Sequence, residues 1–353
     1  MIVSQTADSS QPIDQEAPAS LRVVALGGGT GLSTLLRGLK HYVASPAGAP
    51  EPEGEAHPWL ISDLAAVVTV TDDGGSSGRL RTEMKVLPPG DLRNCMVALS
   101  EDEHLLSKLF QYRFEVGEGL EGHSFGNLFV AALSAVTGDF AEAVKLSSQI
   151  LATRGHIFPA TNTNVTLAAR MDDGSVVRGE TKITASHERI VELMLEPAEV
   201  SPLPQTLESI QRADVITLGP GSLYTSLVTN LLVQGIPEAL AAADAVRIFV
   251  CNLMTQSNES VGLTASQHIE RIYEHTDEPV FDYALVNTAP ISEAMRLRYA
   301  SEGSTPIEAD ISRIEALGVK TICGDFAFEG DVVRHNYDRV AEEILRLGFA
   351  GRP

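Results

Sequence analysis

The chain has few cysteines, and their spacing argues against two kinds of site. Three occur among the 353 residues, Cys95, Cys251 and Cys323, and they lie far apart, unlike the cysteines of a disulfide framework or a CxxC zinc site. Each has apolar neighbours in the sequence, so we expect core residues rather than nucleophiles. Scarce and scattered cysteines are typical of a reducing compartment, and we therefore expect a cytoplasmic protein.

Basic residues are also few relative to acidic ones. Lysine and arginine number 26 against 47 aspartates and glutamates, which gives a formal net charge of −21. Nucleic acids and anionic membranes bind basic surfaces, so this balance argues against both as partners. The negative net charge does not exclude a small anionic ligand, because surface charge is screened beyond about 8 Å whereas hydrogen-bond donors inside a pocket act at contact distance. Arg79, Arg81 and Arg93 are the expected source of a local positive field.

Long apolar runs are missing as well. No run of about eighteen apolar residues occurs, so the sequence predicts no membrane span. The first twenty residues are polar and acidic, without the basic start and apolar centre of a secretory signal, and we expect residues 1–20 to form a disordered leader. Residues 45–58 are rich in proline, glycine, alanine and glutamate, and they predict an exposed loop or insertion.

A glycine cluster is the most informative feature that is present. Residues 27–31 read Gly-Gly-Gly-Thr-Gly, between an apolar run at 23–26 and leucines with helical spacing. Glycines let a ligand approach the backbone, and successive N–H groups at the opening of a helix can converge on one anion. Leu32 breaks the dinucleotide pattern GxGxxG, and no Gly-Lys-Ser/Thr follows as in a P-loop. A tight strand-to-helix turn is the alternative interpretation.

Two further glycine motifs also follow β-rich runs. The motif DDGGSSGRLR at 72–81 follows the run 65–71, and LGPGSLYTS at 218–226 follows the run 215–218. Because the strands of an open α/β sheet end at one edge, the three turns could reach one molecule. A ligand with a diphosphate has enough oxygens to contact each of them. Taken alone, the third motif could also be an ordinary turn in which Ser222 caps a helix.

Asp72 and Asp73 admit three roles. They could accept hydrogen bonds from the hydroxyls of a ribose or sugar, bind a Mg²⁺ that arrives with a diphosphate, or stabilise a turn. No third carboxylate lies at short spacing, so we expect no metal cage built by the protein alone. Arg93 follows Pro-Pro-Gly-Asp-Leu near the start of a helix and could point into the crevice or into solvent.

The remaining candidates are polar or aromatic residues elsewhere in the chain. Asn127 lies beside a Ser-His pair in GHSFGN, where we favour binding or helix capping over a nucleophile because no GxSxG elbow is present. Asn252 follows a strand and could read a base or a sugar hydroxyl, or stabilise a turn. Tyr299 could stack on a base and Arg334 could clamp a diphosphate, although most residues at such positions are structural.

Strand and helix patterns alternate along most of the chain. The β-rich runs lie at 22–26, 65–71, 214–218, 246–251 and 281–286. Helical patterns lie at 32–43, 91–99, 103–112, 124–136, 139–151, 264–275, 291–300 and 336–347 and in a segment that starts near 222. The alternation predicts a doubly wound, mostly parallel, Rossmann-like α/β sheet. Residues 155–200 predict a small β-rich insertion, and we expect one α/β domain over residues 21–350.

Six motifs occur in order over about residues 21–348: ALGGGTGLS, VTVTDDGGSSGRLR, PPGDLRN, GHSFGN, GPGSLYTS and VRHN. Through them the sequence resembles the YvcK-type gluconeogenesis factors, a branch of the CofD-like superfamily, and we therefore expect the domain over residues 21–350 to be CofD-like. The resemblance implies a cytoplasmic protein that binds UDP-sugars, notably UDP-N-acetylglucosamine, and that is tied to cell shape and cell-wall synthesis on gluconeogenic carbon sources. It implies no established catalytic activity and no required cofactor. The other branch transfers a phospholactyl group, and its second strand tends to end in Asn-Thr-Gly-Asp-Asp, which this chain lacks.

The resemblance also implies roles for particular residues. The glycine loop at 27–31 and the turn at Gly219 correspond to the diphosphate cradle, and Tyr299 and Arg334 match the tyrosine and arginine that the family uses for the UDP-sugar. The full set of expected ligand-binding residues is Gly28, Gly29, Thr30, Gly31, Asp72, Asp73, Gly75, Arg93, Asn127, Gly221, Ser222, Asn252, Tyr299 and Arg334.

Three functions stay open on the sequence. The first hypothesis is a non-catalytic UDP-sugar sensor that acts on a cell-wall synthesis protein. The sequence does not decide its oligomeric state, and a homodimer is one option. The second is a CofD-like, Mg²⁺-dependent transferase that acts on a nucleotide-diphosphate-linked donor, in which Asp72 or Asp73 stabilises the leaving nucleotide. The third, a nicotinamide-dependent oxidoreductase, is weakened by the broken GxGxxG pattern.

Overall fold

The computed structural model describes residues 20–44, 60–100, 105–186, 188–257, 259–276 and 278–351. The expected leader, apart from Ser20, and the expected loop at 45–58 lie outside these residues. Within them, no helix combines the length and the apolar character that crossing a membrane requires.

The strands and helices alternate as the sequence predicts. The strands are β1 (Ser20–Gly27), β2 (Leu60–Val68), β3 (His156–Pro159), β4 (Thr166–Met171), β5 (Val176–Arg178), β6 (Ile190–Glu196), β7 (Val215–Leu218), β8 (Val246–Val250), β9 (Tyr283–Asn287), β10 (Lys320–Gly324), β11 (Ala327–Glu329) and β12 (Val333–His335). The helices are α1 (Gly29–Lys40), α2 (Gly75–Met84), α3 (Gly90–Leu99), α4 (Leu105–Gln111), α5 (Phe125–Thr137), α6 (Phe140–Ile150), α7 (Glu180–Thr184), α8 (Pro204–Arg212), α9 (Thr229–Leu231), α10 (Ile236–Ala242), α11 (Ala265–Tyr273), α12 (Glu293–Ser301), α13 (Ile311–Ala316) and α14 (Tyr337–Ala350). A π-helical segment, Leu223–Val228, precedes α9.

Seven strands form one sheet in the order β10-β9-β8-β7-β1-β2-β3, and every neighbouring pair is parallel. The chain winds outward from β1 to β3 on one side and from β7 to β10 on the other. The predicted doubly wound, Rossmann-like fold is therefore confirmed. The point where the winding reverses lies between β1 and β7, and in such sheets ligands bind outside the carboxyl ends of the strands at this point.

Two small antiparallel sheets accompany the main one. Strands β4, β5 and β6 pair in the order β5-β4-β6, inside the region where the sequence predicts a β-rich insertion. Strand β3 also falls in that region, but it pairs with β2 and extends the main sheet. Strands β11 and β12 form a hairpin close to the C-terminal helix.

Buried apolar side chains explain the central elements. All four residues of β7 are buried, as expected for a parallel strand covered on both faces by helices. On α1, Leu32, Leu35, Leu36 and Leu39 are buried with the spacing of one helical face, and they pack against the sheet.

Two element boundaries differ from the sequence prediction for identifiable reasons. The helix predicted over 32–43 begins at Gly29, because the glycine cluster itself supplies the first helical turn. The strand predicted over 65–71 ends at Val68, opposite Gly27, because β1 turns into α1 there and offers no further partner.

The expectation that all three cysteines are core residues is wrong for one of them. Cys95 and Cys251 are buried, but Cys323 is exposed. Cys323 lies on β10, the edge strand of the sheet, where the outward face is left uncovered.

Aspartates that immediately precede two strands fix the amino edge of the sheet. Asp214, before β7, accepts hydrogen bonds from the backbone N–H and the guanidinium of Arg22 on β1, at 2.7–3.0 Å. Asp282, before β9, binds Arg247 of β8 in the same way, at 2.9–3.1 Å. Forked contacts of this kind set the register of neighbouring strands.

Gly38 offers a test of the packing of α1 on α14. A Cβ atom at this position would overlap the carbonyl oxygen of Tyr337 and lie 2.8 Å from its carbonyl carbon. We expect Gly38→Ala to lower the free energy of unfolding by about 1–3 kcal/mol, because the two helices must move apart. Urea unfolding measures the difference, and an unchanged midpoint would contradict this packing.

Candidate ligand-binding site

A cleft of about 600 Å³ lies at the carboxyl ends of β1, β7 and β8. Its walls come from the turns after these strands, from α7, from α12 and from the β11–β12 hairpin. Of the residues expected from the sequence, the cleft is lined by Gly28, Gly29, Thr30, Gly31, Gly221, Ser222, Asn252, Tyr299 and Arg334. Segments about 200 residues apart in the chain thus meet at the point where the sheet reverses its winding.

The turn after β1 presents backbone donors to the cleft. Gly28 precedes α1, no side chain caps this helix, and Gly29 has a positive φ of 60°. The N-terminus of a helix carries unsatisfied N–H groups and a partial positive charge, which together favour an anion. One of these donors is already engaged, because the N–H of Gly29 donates to Asp91 Oδ2 at 2.8 Å.

The turns after β1 and β7 pack backbone against backbone. A Cβ atom on Gly31 would overlap the carbonyl oxygen of Pro220 and lie 2.7 Å from its carbonyl carbon. On Gly28, a Cβ atom would lie 2.5 Å from Thr69 Oγ1. Glycine at position 31 is therefore required for the turns after β1 and β7 to meet, and glycine at position 28 for the close approach of Thr69, which follows β2. Both requirements hold apart from any contact with a ligand.

Two asparagines hold these turns in place. Asn252 accepts a hydrogen bond from Gly221 N at 3.1 Å and donates to Gly221 O at 2.6 Å. Buried Asn230 donates to Gly27 O at 3.1 Å and to Ser226 O at 2.8 Å. Of the two roles that the sequence left open for Asn252, the hydrogen bonds favour turn stabilisation.

The segment after Ser222 differs from the expected α-helix. It is π-helical, and Ser222 O accepts from the N–H groups of both Ser226 and Leu227 at 3.0 Å. Ser222 stands at the N-cap position, but its side chain does not cap the segment. Its Oγ accepts instead from Gln256 Nε2 at 2.8 Å, so the hydroxyl belongs to the wall of the cleft.

Tyr299 and Arg334 belong to a wall with its own small apolar cluster. Helix α12 buries none of its side chains, and Tyr299 packs with Val333 against the cluster of Leu253, Met254 and Ile291. The Tyr299 hydroxyl accepts from Val333 N at 3.0 Å, which ties α12 to the hairpin. Arg334 on that hairpin is exposed and makes no hydrogen bond or ion pair within the described residues.

His335, next to Arg334, fastens the hairpin to the sheet. Its Nε2 lies 3.0 Å from Cys251 O, at the end of β8. Burial lowers the pKa of His335 to about 4. The ring is therefore neutral at physiological pH and can donate its Nε2 hydrogen to the carbonyl.

Three carboxyl groups that sequence reasoning missed lie around the cleft. Burial and the charge of Asp72 raise the pKa of Asp91 to about 6. Burial, with the charges of Asp91 and Asp72, raises the pKa of Glu180 to about 8, and burial raises that of Glu259. Asp91 belongs to the PPGDLRN motif but was not singled out there, and no motif marks Glu180 or Glu259. The three groups come close only when α3, α7 and the loop after β8 pack together.

Five of the expected residues do not line the cleft. Asp72 Oδ1 accepts from Gly74 N at 2.9 Å, and Asp73 Oδ1 accepts from Thr181 N at 2.8 Å and Thr181 Oγ1 at 2.6 Å. Gly75 opens α2 in the same turn. Asp72 thus holds a main-chain group of its own turn and Asp73 holds one of α7, and of their three candidate roles these contacts favour the structural one.

Arg93 and Asn127 lie behind that turn. Arg93 is partly buried and donates to Asn94 Oδ1 at 2.7 Å, whereas Asn127 Nδ2 lies 3.5 Å from Ser77 Oγ. The N–H of Asn127 donates to Ser124, which caps α5 as the sequence suggested. Asn127 Oδ1 is buried and has no partner within the described residues.

The arginines expected to create a positive field near the glycine turns bind carbonyl groups instead. Arg79 Nη2 donates to Glu121 O at 2.7 Å. Arg81 donates to the carbonyl oxygens of Thr71 and Val165. Arg334 is the one lysine or arginine among the described residues that line the cleft.

Comparison with known proteins agrees with this architecture. A protein-family model described as 2-phospho-L-lactate transferase CofD matches residues 23–327. The gluconeogenesis factor of Halalkalibacterium halodurans is 47% identical over 324 residues, which cover 92% of this chain and 95% of that protein. The gluconeogenesis factor of Bacillus subtilis is 43% identical over 327 residues, which cover 92% of this chain and 98% of that protein. A crystal structure of a UPF0052 family member from Bacillus halodurans matches with a TM-score of 0.85 and 46% identity, over 92% of this chain and 99% of that one.

The fold and the cleft define a doubly wound α/β protein with its candidate site at the switch point of the sheet. The chain belongs to the CofD family, in the group of the gluconeogenesis factors. The resemblance drawn from the glycine motifs is thereby confirmed.

The contact between the two glycine turns can be tested with a matched pair of variants. Gly31→Ala and Gly38→Ala each place a Cβ atom against a backbone carbonyl, but only Gly31 lies in the cleft. We expect both to lower the free energy of unfolding by about 1–3 kcal/mol, and only Gly31→Ala to change the chemical shifts of the Gly221 turn. Urea unfolding and backbone amide NMR measure these effects. Equal perturbation of that turn by both variants would contradict the contact.

The raised pKa of Glu180 predicts a pH-dependent stability. The folded protein holds this proton up to about pH 8, whereas the unfolded chain releases it near the ordinary value of 4.5. The free energy of unfolding therefore falls as the pH rises between these values. Glu180→Gln cannot ionise, so we expect its stability relative to wild type to rise by roughly 1–2 kcal/mol from pH 5 to pH 8.5. Urea unfolding at both pH values, with exposed Glu270→Gln as the control, tests this. A pH-independent difference would contradict it.

Proposed function

We propose that this protein binds a UDP-sugar, with UDP-N-acetylglucosamine as the first candidate, and acts as a non-catalytic sensor in gluconeogenesis and cell-wall synthesis. The observation that carries this proposal is the meeting of two glycine turns at the switch point of the sheet. There, the N-terminus of α1, of which Asp91 engages the Gly29 N–H, and the Gly221 turn face one cleft. Backbone donors from two directions suit the oxygens of a diphosphate.

The second wall of the cleft supports a nucleotide. The Tyr299 ring lines the cleft, and the bond from Val333 N to its hydroxyl holds the end of the side chain in place. An aromatic ring held in this way can stack on a base. Arg334 lines the same wall without a partner in the described chain, and a guanidinium binds phosphate oxygens in a forked geometry.

A regulatory role is supported by the engagement of the candidate metal ligands. Asp72 and Asp73 each give one carboxylate oxygen to main-chain groups of the turn after β2 and of α7. In a Mg²⁺-dependent transferase these carboxylates would instead face the diphosphate. A sensor needs only to bind, and about −6 kcal/mol corresponds to a dissociation constant of tens of micromolar.

Isothermal titration calorimetry with UDP-N-acetylglucosamine and with UDP tests the binding. We expect saturable binding of both by the wild type, and a loss of about 1.5–3 kcal/mol of binding free energy in Arg334→Ala, because a charge-assisted hydrogen bond is removed. Arg313→Ala, which changes an exposed arginine on α13 outside the cleft, serves as the control. Absence of saturable binding by the wild type would remove the proposal.

A transferase remains the second candidate, because the matching family model is described as 2-phospho-L-lactate transferase CofD. Incubation with UDP- or GDP-linked donors and Mg²⁺ separates the two functions. Release of nucleotide under saturating conditions would favour the transferase. For the sensor we expect no release where binding is saturated.

A further inference from the structure

One end of the cleft holds a group of polar side chains that the diphosphate cradle does not use. Gln256 and Glu259 lie on the loop after β8 and line the cleft together with Thr225 and Thr184. Gln256 Nε2 donates to Ser222 Oγ at 2.8 Å. Because Ser222 directly follows Gly221, this bond places the polar group next to the Gly221 turn. A ligand whose diphosphate occupies the two glycine turns would extend its next group toward this end.

Two oxygen atoms in this group are buried without a partner in the described chain. Glu259 Oε1 accepts from Thr225 Oγ1 at 3.2 Å and from Thr184 Oγ1 at 3.5 Å. The main-chain N–H groups of Tyr224 and Thr225 also act on this carboxyl group, but Glu259 Oε2 itself has no hydrogen-bond partner among the described residues. Gln256 Oε1 is likewise unpartnered, although its Nε2 is engaged. Buried polar atoms are nearly always hydrogen-bonded, and two exceptions on one short loop indicate groups that a ligand would satisfy.

The charges around these atoms restrict the ligand class. Glu180 lies on α7 one helical turn before Thr184, and it interacts electrostatically with Glu259, Asp91 and Asp72. Arg334, the one lysine or arginine of the cleft lining, lies on the hairpin and not on this loop. A second anionic group on the ligand would therefore enter a region of carboxyl groups with no cation to pair with it.

The donor and acceptor pattern fits a sugar. Glu259 Oε2 can accept from a hydroxyl group when the carboxyl group is ionised and can donate to one when it is protonated. Gln256 Oε1 can only accept. Two unpartnered oxygens on one loop match hydroxyl groups, which both donate and accept.

We propose that Gln256 and Glu259 form a subsite that binds the hydroxyl groups of an uncharged sugar and disfavours a sugar that carries a carboxylate. This inference rests on the proposed function, because it assumes that the diphosphate lies between the glycine turns. It adds the class of sugar and the residues that select it.

Calorimetry with three probes tests the subsite: UDP, UDP-glucose and UDP-glucuronate. We expect the wild type to bind UDP-glucose about fivefold or more tightly than UDP, and UDP-glucuronate no more tightly than UDP. Glu259→Leu is expected to reduce the UDP-glucose advantage to about one while UDP binding changes less than about twofold. Glu259→Gln, which keeps one donor and one acceptor, is expected to retain the advantage.

Two further variants keep the test decisive. Glu270→Leu, an exposed change on α11, controls for the loss of a carboxylate elsewhere, and Gln256→Leu replaces Glu259→Leu if that variant does not fold. The subsite is refuted if UDP-glucuronate binds as tightly as UDP-glucose, if Glu259→Leu weakens UDP equally, or if Glu259→Gln loses the advantage. If the wild type binds neither UDP nor UDP-glucose, the proposed function itself is refuted, and the subsite with it.

Discussion

The contact between the turns after β1 and β7 is the constraint on which the cleft depends. Gly31 touches the Pro220 carbonyl without room for a Cβ atom, and Asn230 and Asn252 hold the two turns from behind. Since β1 and β7 are the innermost strands of the two halves of the sheet, this contact also joins those halves at their carboxyl edge. The geometry of the candidate site and the cohesion of the fold therefore rest on the same few atoms.

The candidate anion site lies close to several carboxyl groups, which would be expected to repel an anion. A protein with a net charge of −21 faces its candidate anion site with carboxyl groups nearby, of which Asp91 directly engages the Gly29 amide. Burial raises the pKa values of Asp91, Glu180 and Glu259, and a raised pKa lowers the negative charge that a carboxyl group carries at a given pH. Backbone donors at contact distance can then outweigh more distant charge, because the field of an exposed group is screened while that of an adjacent N–H is not.

Sequence alone predicted what depends on local pattern. The strand-to-helix periodicity gave the doubly wound sheet, and the density of glycine at 27–31 and 219–221 located both turns of the cleft. Contacts between distant segments could not be predicted from the sequence. Glu180 and Glu259 lie in no motif, and the PPGDLRN motif does not reveal that its Asp91 contacts the Gly29 amide. The amide of Asn252 was equally suited to a ligand or to a turn. Cys323 was misjudged because its apolar neighbours in sequence do not reveal that β10 is an edge strand.

The hairpin that carries Arg334 has a weaker foundation than the glycine turns. It rests on the small cluster around Leu253 and Met254, on the bond from Val333 N to the Tyr299 hydroxyl and on the contact of His335 Nε2 with Cys251 O. Helix α12 beside it buries no side chain. Segments with few buried contacts open at low free-energy cost. Whatever fraction of molecules has this hairpin detached lacks one wall of the cleft, and the apparent dissociation constant rises in inverse proportion to the fraction still docked. Substitutions that alter the docking of the hairpin would therefore change the affinity of the candidate site and leave every residue of the glycine turns unchanged.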